Sequence, residues 1–201
     1  LGEKLPVEIG QRLFELRATP AMTTVPEMWL LGSSAYSAEA AGMLCLPYVF
    51  AKHFGMPGID QTLKIYRDNY QPSEQFPEPK TLVPVNAVVA ETEEEAHKLA
   101  LPQKLSTARL RSGGKIEPQP TVEDMENYAW TARELMVPAA NPDSLFVGTP
   151  EKVAEELVGL AKRLGADEVM ISPVAGAYAG DALDRGEQRE RTLQLLAEAV
   201  A

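Results

Sequence analysis

The sequence has little cysteine and little histidine, with one Cys and two His among 201 residues. A single cysteine excludes an internal disulfide framework and is typical of a reducing compartment, so we expect a cytoplasmic protein. The two histidines, His53 and His97, lie far apart and leave no cluster of the ligands that zinc prefers. The sequence therefore predicts neither a disulfide-stabilised fold nor a metal centre.

Positive charge and long apolar segments are scarce as well. The chain has 19 Lys and Arg against 29 Asp and Glu, a net charge of −10, which disfavours a nucleic-acid-binding surface. No apolar run approaches the roughly 18 residues of a membrane-spanning helix. The first residues, LGEKLPVEIG, lack the basic and apolar regions of a signal peptide. An apolar content of 45% is enough for a globular core, and we interpret residues 1–201 as one domain or part of one.

What is present is an alternation of strand and helix signals. Short apolar runs predict strands near residues 28–32, 46–51, 81–89 and 168–172. Helix-like segments follow each run, and such alternation predicts parallel strands joined by crossover helices. About four strands are too few for a closed eight-stranded barrel, so the pattern leaves two choices, a small open sheet or half of a barrel.

Two features interrupt the alternation. Pro84 lies inside the third predicted strand and has no N–H, so we expect a bulge or a local break there. Residues 112–145 read as a long insertion with a short helix near 125–135, and such loops are usually functional or mobile. If the insertion closes over a site, Tyr128 and Trp130 are candidate lid contacts.

Three small hydroxylated residues, Ser33, Ser34 and Ser37, lie between the first predicted strand and its helix. Strand-to-helix turns of parallel folds lie at the carboxyl ends of the strands, where ligands bind. A helix that begins near Tyr36 presents free N–H groups and a positive dipole end, and Gly32 permits close approach of a ligand. These residues favour a phosphate cradle without a lysine. The alternative is that Ser34 is only a helix cap and the other serines are solvated.

Other chemistry centres on His53, which ends the second predicted strand. Its imidazole could act as a general base or orient a peroxide, or it could simply pack against the next loop. His97 lies in an acidic helix and is expected to be solvated. Cys45 precedes a strand in an apolar setting, which is typical of an inert core thiol. A triad of Ser34, His53 and Asp60 has little support, because GSSAYS lacks the G-x-S-x-G elbow.

The segment WLLGSSAYSAEAAGMLCLPYVFAKHF resembles the fifth and sixth strand-helix units of the bacterial luciferase-like flavin monooxygenases. LKIYRDNYQPS, VNAVVAETEEEAHKLA and FVGTPEKVAEELVGLAKRLGADEVMISPV are similar to later family segments in the same order. The resemblance runs from about Pro26 to Val174. It implies an α/β fold, the carboxyl-terminal half of a (β/α)8 TIM-type barrel, of which this chain is expected to be a fragment or a truncated form.

The resemblance also implies a site for flavin mononucleotide (FMN). Ser34 and Ser37 match family hydroxyls that hold the flavin phosphate, and the backbone of Ala35 and Tyr36 is expected to donate to it. Ser33 matches a position beside the isoalloxazine ring or the ribityl chain.

On the neighbouring strand, Ala51, Lys52 and His53 match the strand end that faces the ring and the substrate cavity. The implied activity is oxygen insertion into an organic substrate with reduced FMN and O2. A deazaflavin (F420) oxidoreductase, a non-catalytic flavin- or phosphate-binding protein and a structural half-barrel are the alternatives. Because a half-barrel leaves open sheet edges, we expect a homo-oligomer or pairing with an amino-terminal half-barrel.

Overall fold

The computed structural model describes residues 4–17, 19–20, 23–24, 26–115, 117–140 and 145–200, with 137–140 by their backbone alone. The strands are β1 Leu5–Ile9, β2 Arg12–Leu16, β3 Leu30–Gly32, β4 Tyr48–Phe50, β5 Thr81–Val89, β6 Leu145–Gly148 and β7 Glu168–Pro173. The helices are α1 Ala35–Met43, α2 Ile59–Asn69, α3 Glu93–Arg111, α4 Val122–Glu126, α5 Ala132–Ala140, α6 Pro150–Leu164 and α7 Glu187–Val200. A short 3-10 helix, Lys52–Phe54, follows β4.

Five parallel strands form the main sheet, centred on β5. The order is β3-β4-β5-β6, and β7 pairs with β5 as well. Asn86 and Ala87 pair with both β6 and β7, and Leu82 pairs with both β4 and β7. One edge of β5 therefore belongs to β7, while β4 and β6 share the other edge end to end. The four predicted parallel strands are present, and β6 is an additional strand that we had not predicted.

Pro84 lies between those two neighbours of β5. The strand itself is continuous through Pro84, which pairs with Met170 of β7. On the opposite edge the pairing with β4 ends at Leu82 and the pairing with β6 begins at Asn86. The expected local break is thus found in the ladder on one edge and not in the strand, as suits a residue without an N–H.

The main core lies between one face of the sheet and the helices α1, α2, α6 and α7. Alternate side chains of β5, namely Val83, Val85, Ala87 and Val89, are buried in it. The other face of the sheet is incompletely covered, since Leu31 of β3 is 57% exposed and Met170 of β7 is 51% exposed. Parallel sheets are normally covered on both faces. α3 covers this face around Val88, and the exposed part around Leu31 and Met170 is what half of a barrel would present.

A β-hairpin precedes the sheet. β1 and β2 pair antiparallel from Leu5–Leu16 to Ile9–Arg12, around a two-residue loop in which Gly10 has a φ of 65°. The apolar residues Leu5, Val7 and Phe14 share one face, and Leu5 and Phe14 are exposed. These two strands were not predicted from the sequence.

The predicted insertion contains regular structure. Of residues 112–145, the structure describes 112–115, 117–140 and Leu145, and Leu145 already belongs to β6. α4 and α5 occupy the region of the predicted short helix, and α5 packs against α3. α3 itself runs on to Arg111, with Pro102 buried inside it.

Candidate functional site

The carboxyl ends of β3 and β4 lie side by side. Gly32 is opposite Phe50 in the parallel register, and the N–H of Ala51 donates to the carbonyl of Gly32 over 2.9 Å. This pairing brings the serine-rich turn that follows Gly32 next to the 3-10 helix that carries His53. The two predicted groups of site residues therefore meet at one edge of the sheet, where parallel folds bind ligands.

The serine-rich turn is a capping box at the start of α1. Oγ of Ser34 accepts from the N–H of Ser37, and Oγ of Ser37 accepts from the N–H of Ser34, both at 3.2 Å. Oγ of Ser37 also lies 3.0 Å from the hydroxyl of Tyr48 and donates to the carbonyl of Ser34 over 2.8 Å. Ser37 is thus occupied by the protein itself, and its contact with a phosphate stays a prediction.

Tyr48 on β4 supports the serine-rich turn through its hydroxyl. The ring is fully buried on β4, and burial raises the pKa of its hydroxyl, an effect that the hydrogen bond with Ser37 partly offsets. The phenol therefore stays protonated at neutral pH and keeps Ser37 in place. Tyr48 was not predicted as a site residue; its hydroxyl at the start of an otherwise apolar strand, YVF, was the available signal.

Several donors at the turn remain available. Within the described part of the chain, the hydroxyl of Ser33 and the N–H groups of Ala35 and Tyr36 have no hydrogen-bond partner. The first turn of α1 carries no acidic residue, so the positive end of the helix dipole is not neutralised there. Ser34 is exposed beside these donors. This set suits a dianionic phosphate, and the phosphate of a flavin nucleotide fits the residues present.

His53 is held in the 3-10 helix by bonds to three successive carbonyls. The carbonyl of Lys52 accepts from the N–H of Gly55, that of His53 from Nδ2 of Asn86, and that of Phe54 from Arg111. The Asn86 bond is 2.8 Å long. Elements β5 and α3 therefore both fix the short turn that follows β4.

The surroundings of the His53 imidazole disfavour its charged form. Its ring packs 4.1 Å from the ring of Phe54, and Nδ1 is buried without a hydrogen-bond partner among the described residues. Burial lowers the pKa of His53, because an imidazolium would place a second N–H where nothing accepts it. Nε2 is left as the nitrogen that can meet a ligand.

The other sequence-level candidates do not join this edge. Asp60 forms an ion pair with Arg163 on α6, so the structure does not assemble the Ser34–His53–Asp60 triad. His97 lies exposed on α3 beside Glu93. Where the structure describes the chain, no three His, Cys, Asp or Glu residues could hold a metal ion, and none of the helices is long and apolar enough to cross a membrane.

Cys45 differs from the expected core thiol. It is half-buried in a left-handed turn, with a φ of 56°, and lines a cavity of about 520 Å³ together with Phe76 and neighbouring residues. Because Cys45 precedes β4, this cavity lies at the amino ends of the strands, away from Ser33 and His53.

Tyr128 and Trp130 anchor the insertion. Their rings meet edge to face at 5.5 Å, and the Tyr128 hydroxyl donates to the buried carboxylate of Glu134 over 2.9 Å. The guanidinium of Arg109 lies over the Tyr128 ring at 5.8 Å from its centre. These contacts fasten the insertion to α3, and the proposed lid contact of the two aromatic residues stays a prediction.

Comparison with known proteins identifies the family. Residues 6–168 match the family described as luciferase-like monooxygenase. The chain belongs to this family. It is 35% identical over 158 residues to the protein YvbT of Bacillus subtilis, covering 79% of this chain and 47% of that protein. A luciferase-like monooxygenase of Escherichia coli K12 is 32% identical over 157 residues, with 78% and 47% coverage.

Solved structures agree with this membership. The crystal structure of apo-MsnO8 superposes with a TM-score of 0.75 at 28% identity, covering 92% of this chain and 54% of that one. The oxygenating constituent of 3,6-diketocamphane monooxygenase of Pseudomonas putida, in complex with FMN, and an F420-dependent secondary alcohol dehydrogenase share the fold, with TM-scores of 0.58 and 0.54 at 17% and 12% identity. The predicted fold class and the family resemblance are confirmed. This luciferase-like chain spans about half the length of the relatives it matches.

Proposed function

We propose that this luciferase-like chain forms the carboxyl-terminal half of a flavin-dependent monooxygenase that uses reduced FMN and O2 on an organic substrate. The proposal rests on one observation. The unpaired N–H groups of Ala35 and Tyr36 at the start of α1 lie at the same edge of the sheet as His53, where β3 and β4 end. Reduced flavin, when bound, supplies the activation of oxygen. The protein residues bind the nucleotide, exclude water and direct protons.

The phosphate is assigned to the start of α1. The N–H groups of Ala35 and Tyr36 and the hydroxyl of Ser33 donate to it. The hydroxyl of Ser34, which donates to Oγ of Ser37 over 3.2 Å in the structure, turns toward the phosphate and joins them. The capping box keeps the helix start in the conformation that points these donors outward, so Ser37 contributes through Ser34. Two backbone donors and two hydroxyls at a helix dipole are a phosphate site that needs no lysine.

The isoalloxazine ring of the flavin is assigned to the β4 side of the site. The buried Ala51 offers a small apolar contact, and Gly32 lets the backbone of β3 come close. His53 presents Nε2 to the ligand, because Nδ1 is buried and unpaired. In this role His53 positions a reacting group through a hydrogen bond at Nε2.

The missing half of the barrel is proposed to come from another polypeptide segment with four more strand-helix units. The exposed Leu31 and Met170 mark the face that such a segment, or a second copy of this chain, would cover. Substrate residues are expected largely from that segment.

Flavin titration with a matched pair of cap variants tests the phosphate site. FMN and riboflavin share the ring, and only FMN carries the phosphate, so the chain should bind FMN more tightly. Ser34→Ala should weaken FMN binding by about 1 to 3 kcal/mol, the range for a lost hydrogen bond to a charged group. Thr92→Ala is the control, because Thr92 caps α3 with the same bond to the third N–H of its helix and lies outside the site.

The outcomes separate the alternatives. FMN binding with consumption of reduced flavin in air above the free-flavin rate supports the monooxygenase. Binding of FMN without turnover supports a flavin-binding protein, and tighter binding of F420 than of FMN supports the deazaflavin enzyme. Equal affinity for FMN and riboflavin, or no binding of either, would remove the phosphate site.

A further inference from the structure

Asn86 is an amide in an otherwise apolar run, on the central strand of the sheet. β5 reads TLVPVNAVV, and both neighbours of Asn86, Val85 and Ala87, point into the helix-facing core. Asn86 therefore lies on the opposite face, the one on which Val88 packs against α3. Holding a half-buried amide in such a strand costs free energy unless it is hydrogen-bonded. Its bond partner indicates what the amide is for.

That partner is the carbonyl of His53, 33 residues earlier in the chain. Nδ2 of Asn86 donates to it over 2.8 Å. This bond joins the central strand to the turn that holds the imidazole, and the turn has no regular ladder of its own to fix it beyond Phe50. Asn86 lies where it can set the depth and direction of the His53 side chain.

We infer that Asn86 is a positioning residue, which holds the His53 turn so that Nδ1 is buried against the protein and Nε2 faces the ligand space. The importance of His53 rests on the proposed function, whereas the positioning itself does not. Without the Asn86 bond, the His53 carbonyl loses its partner, and the bonds to the neighbouring Lys52 and Phe54 carbonyls are left to hold the turn. We expect the His53 residue between them to shift. Water then reaches Nδ1, and the imidazole loses both its fixed direction and its buried setting.

The chain has only two histidines, so NMR of the imidazole signals tests the inference directly. In the wild type, the pKa of His53 should lie below the ordinary value of a histidine, with His97 as the reference signal. In Asn86→Ala, the titration midpoint of His53 should move up toward the ordinary value, and its signals should broaden or shift while those of His97 stay in place. The charged groups nearest the turn, Lys52 and Arg111, are unchanged by this substitution.

Asn69→Ala is the matched control. Nδ2 of Asn69 donates to the carbonyl of Ile65 over 2.9 Å, a bond of the same kind and length on α2. This variant should lose comparable stability without moving the His53 titration. An unchanged His53 midpoint in folded Asn86→Ala, or an equal shift in Asn69→Ala, overturns the inference. Should Asn86→Ala not fold, Asn86→Leu keeps most of the side-chain volume in the strand, and the same readings apply to it.

The same samples separate this inference from the proposed function. If the wild type does not bind FMN but Asn86→Ala still shifts the His53 titration, the flavin assignment fails and the positioning role stands. If FMN binds and the titration of the His53 signals is unchanged in Asn86→Ala, the positioning role alone fails.

Discussion

A Cβ atom on Gly32 would lie 2.5 Å from Cβ of Ser37 and 3.6 Å from the hydroxyl of Tyr48. Strand β3 can therefore end against the first turn of α1 only with glycine at this position. The close approach keeps Ser37 between the helix start and Tyr48, where it completes the capping box.

Gly32→Ala should consequently disrupt the start of α1. The added methyl group has to displace Ser37, which breaks the capping box and its bond to Tyr48, and we expect a loss of about 1 to 3 kcal/mol in the free energy of unfolding from overpacking. Urea denaturation measures this loss, and FMN affinity should fall with it.

Gly159→Ala controls for the change from glycine to alanine. Gly159 lies inside α6, where an added Cβ would meet nothing within 4 Å, so alanine should stabilise the protein by about 0.5 to 1 kcal/mol. If Gly32→Ala behaves like Gly159→Ala, the close packing of Ser37 on Gly32 does not matter for stability.

Thr192 of α7 bonds to the end of the central strand. Its fully buried hydroxyl accepts from the N–H of Val89 at 3.2 Å and lies 3.3 Å from the carbonyl of the same residue. Thr192→Val keeps the shape and removes both bonds, which leaves a buried N–H unpaired, so we expect a loss of about 1 to 3 kcal/mol in urea denaturation. Thr192→Ser keeps the hydroxyl and should cost only about 0.8 kcal/mol for the missing methyl group. A valine variant as stable as the serine variant would contradict a structural role for these bonds.

The burial of His53 predicts a pH dependence of stability. The pKa of His53 is lowered in the folded state, so below the ordinary histidine value of about 6.5 the unfolded chain binds the proton first. The free energy of unfolding should therefore decrease as the pH falls through about 6.5 toward the folded pKa, and the contribution is complete above that window.

Thermal unfolding between about pH 5 and pH 7.5 checks this window. The slope of stability against pH should be smaller in His53→Gln than in the wild type. Equal slopes of stability against pH in the wild type and in His53→Gln would mean that the folded protein does not bury His53 from water.

The incompletely covered face of the sheet predicts association. Because Leu31 and Met170 expose apolar surface on a parallel sheet, we expect the isolated chain to sediment as a species larger than 21.9 kDa. Leu31→Lys should shift the population toward 21.9 kDa, whereas Val158→Lys on the outer side of α6 should not. A monodisperse 21.9 kDa wild type would contradict the prediction.

The strands and helices with long periodic signals were predictable from the sequence. β5 was expected at 81–89 and is found there, since nine mostly apolar residues allow few other interpretations. β6 was missed because four residues before a helix cap, LFVG, carry too little periodicity to indicate a strand. The hairpin was missed because only its pieces VEI and FEL alternate with a period of two, while Leu13 and Phe14 are adjacent apolar residues. Its apolar face is also exposed in this chain, and its signal resembles that of an amphipathic helix.

The site was only partly predictable. The position of Ser34 before a helix-like segment indicated a cap, and the family resemblance placed it at the same site as His53. The bond between Asn86 and His53 spans 33 residues and depends on the register of β4 and β5, so no local pattern contains it. The isolated amide in an apolar strand was the one available signal.

The outer strand of the sheet on one side, β3, is only three residues long. A neighbour added there could form no more than a few backbone hydrogen bonds. A partner that covers the β3 edge must therefore be recognised chiefly through the shape and the apolar character of the surface around Leu31. A partner that binds at this edge can therefore vary in its backbone structure, whereas one charged residue placed against Leu31 would weaken its binding.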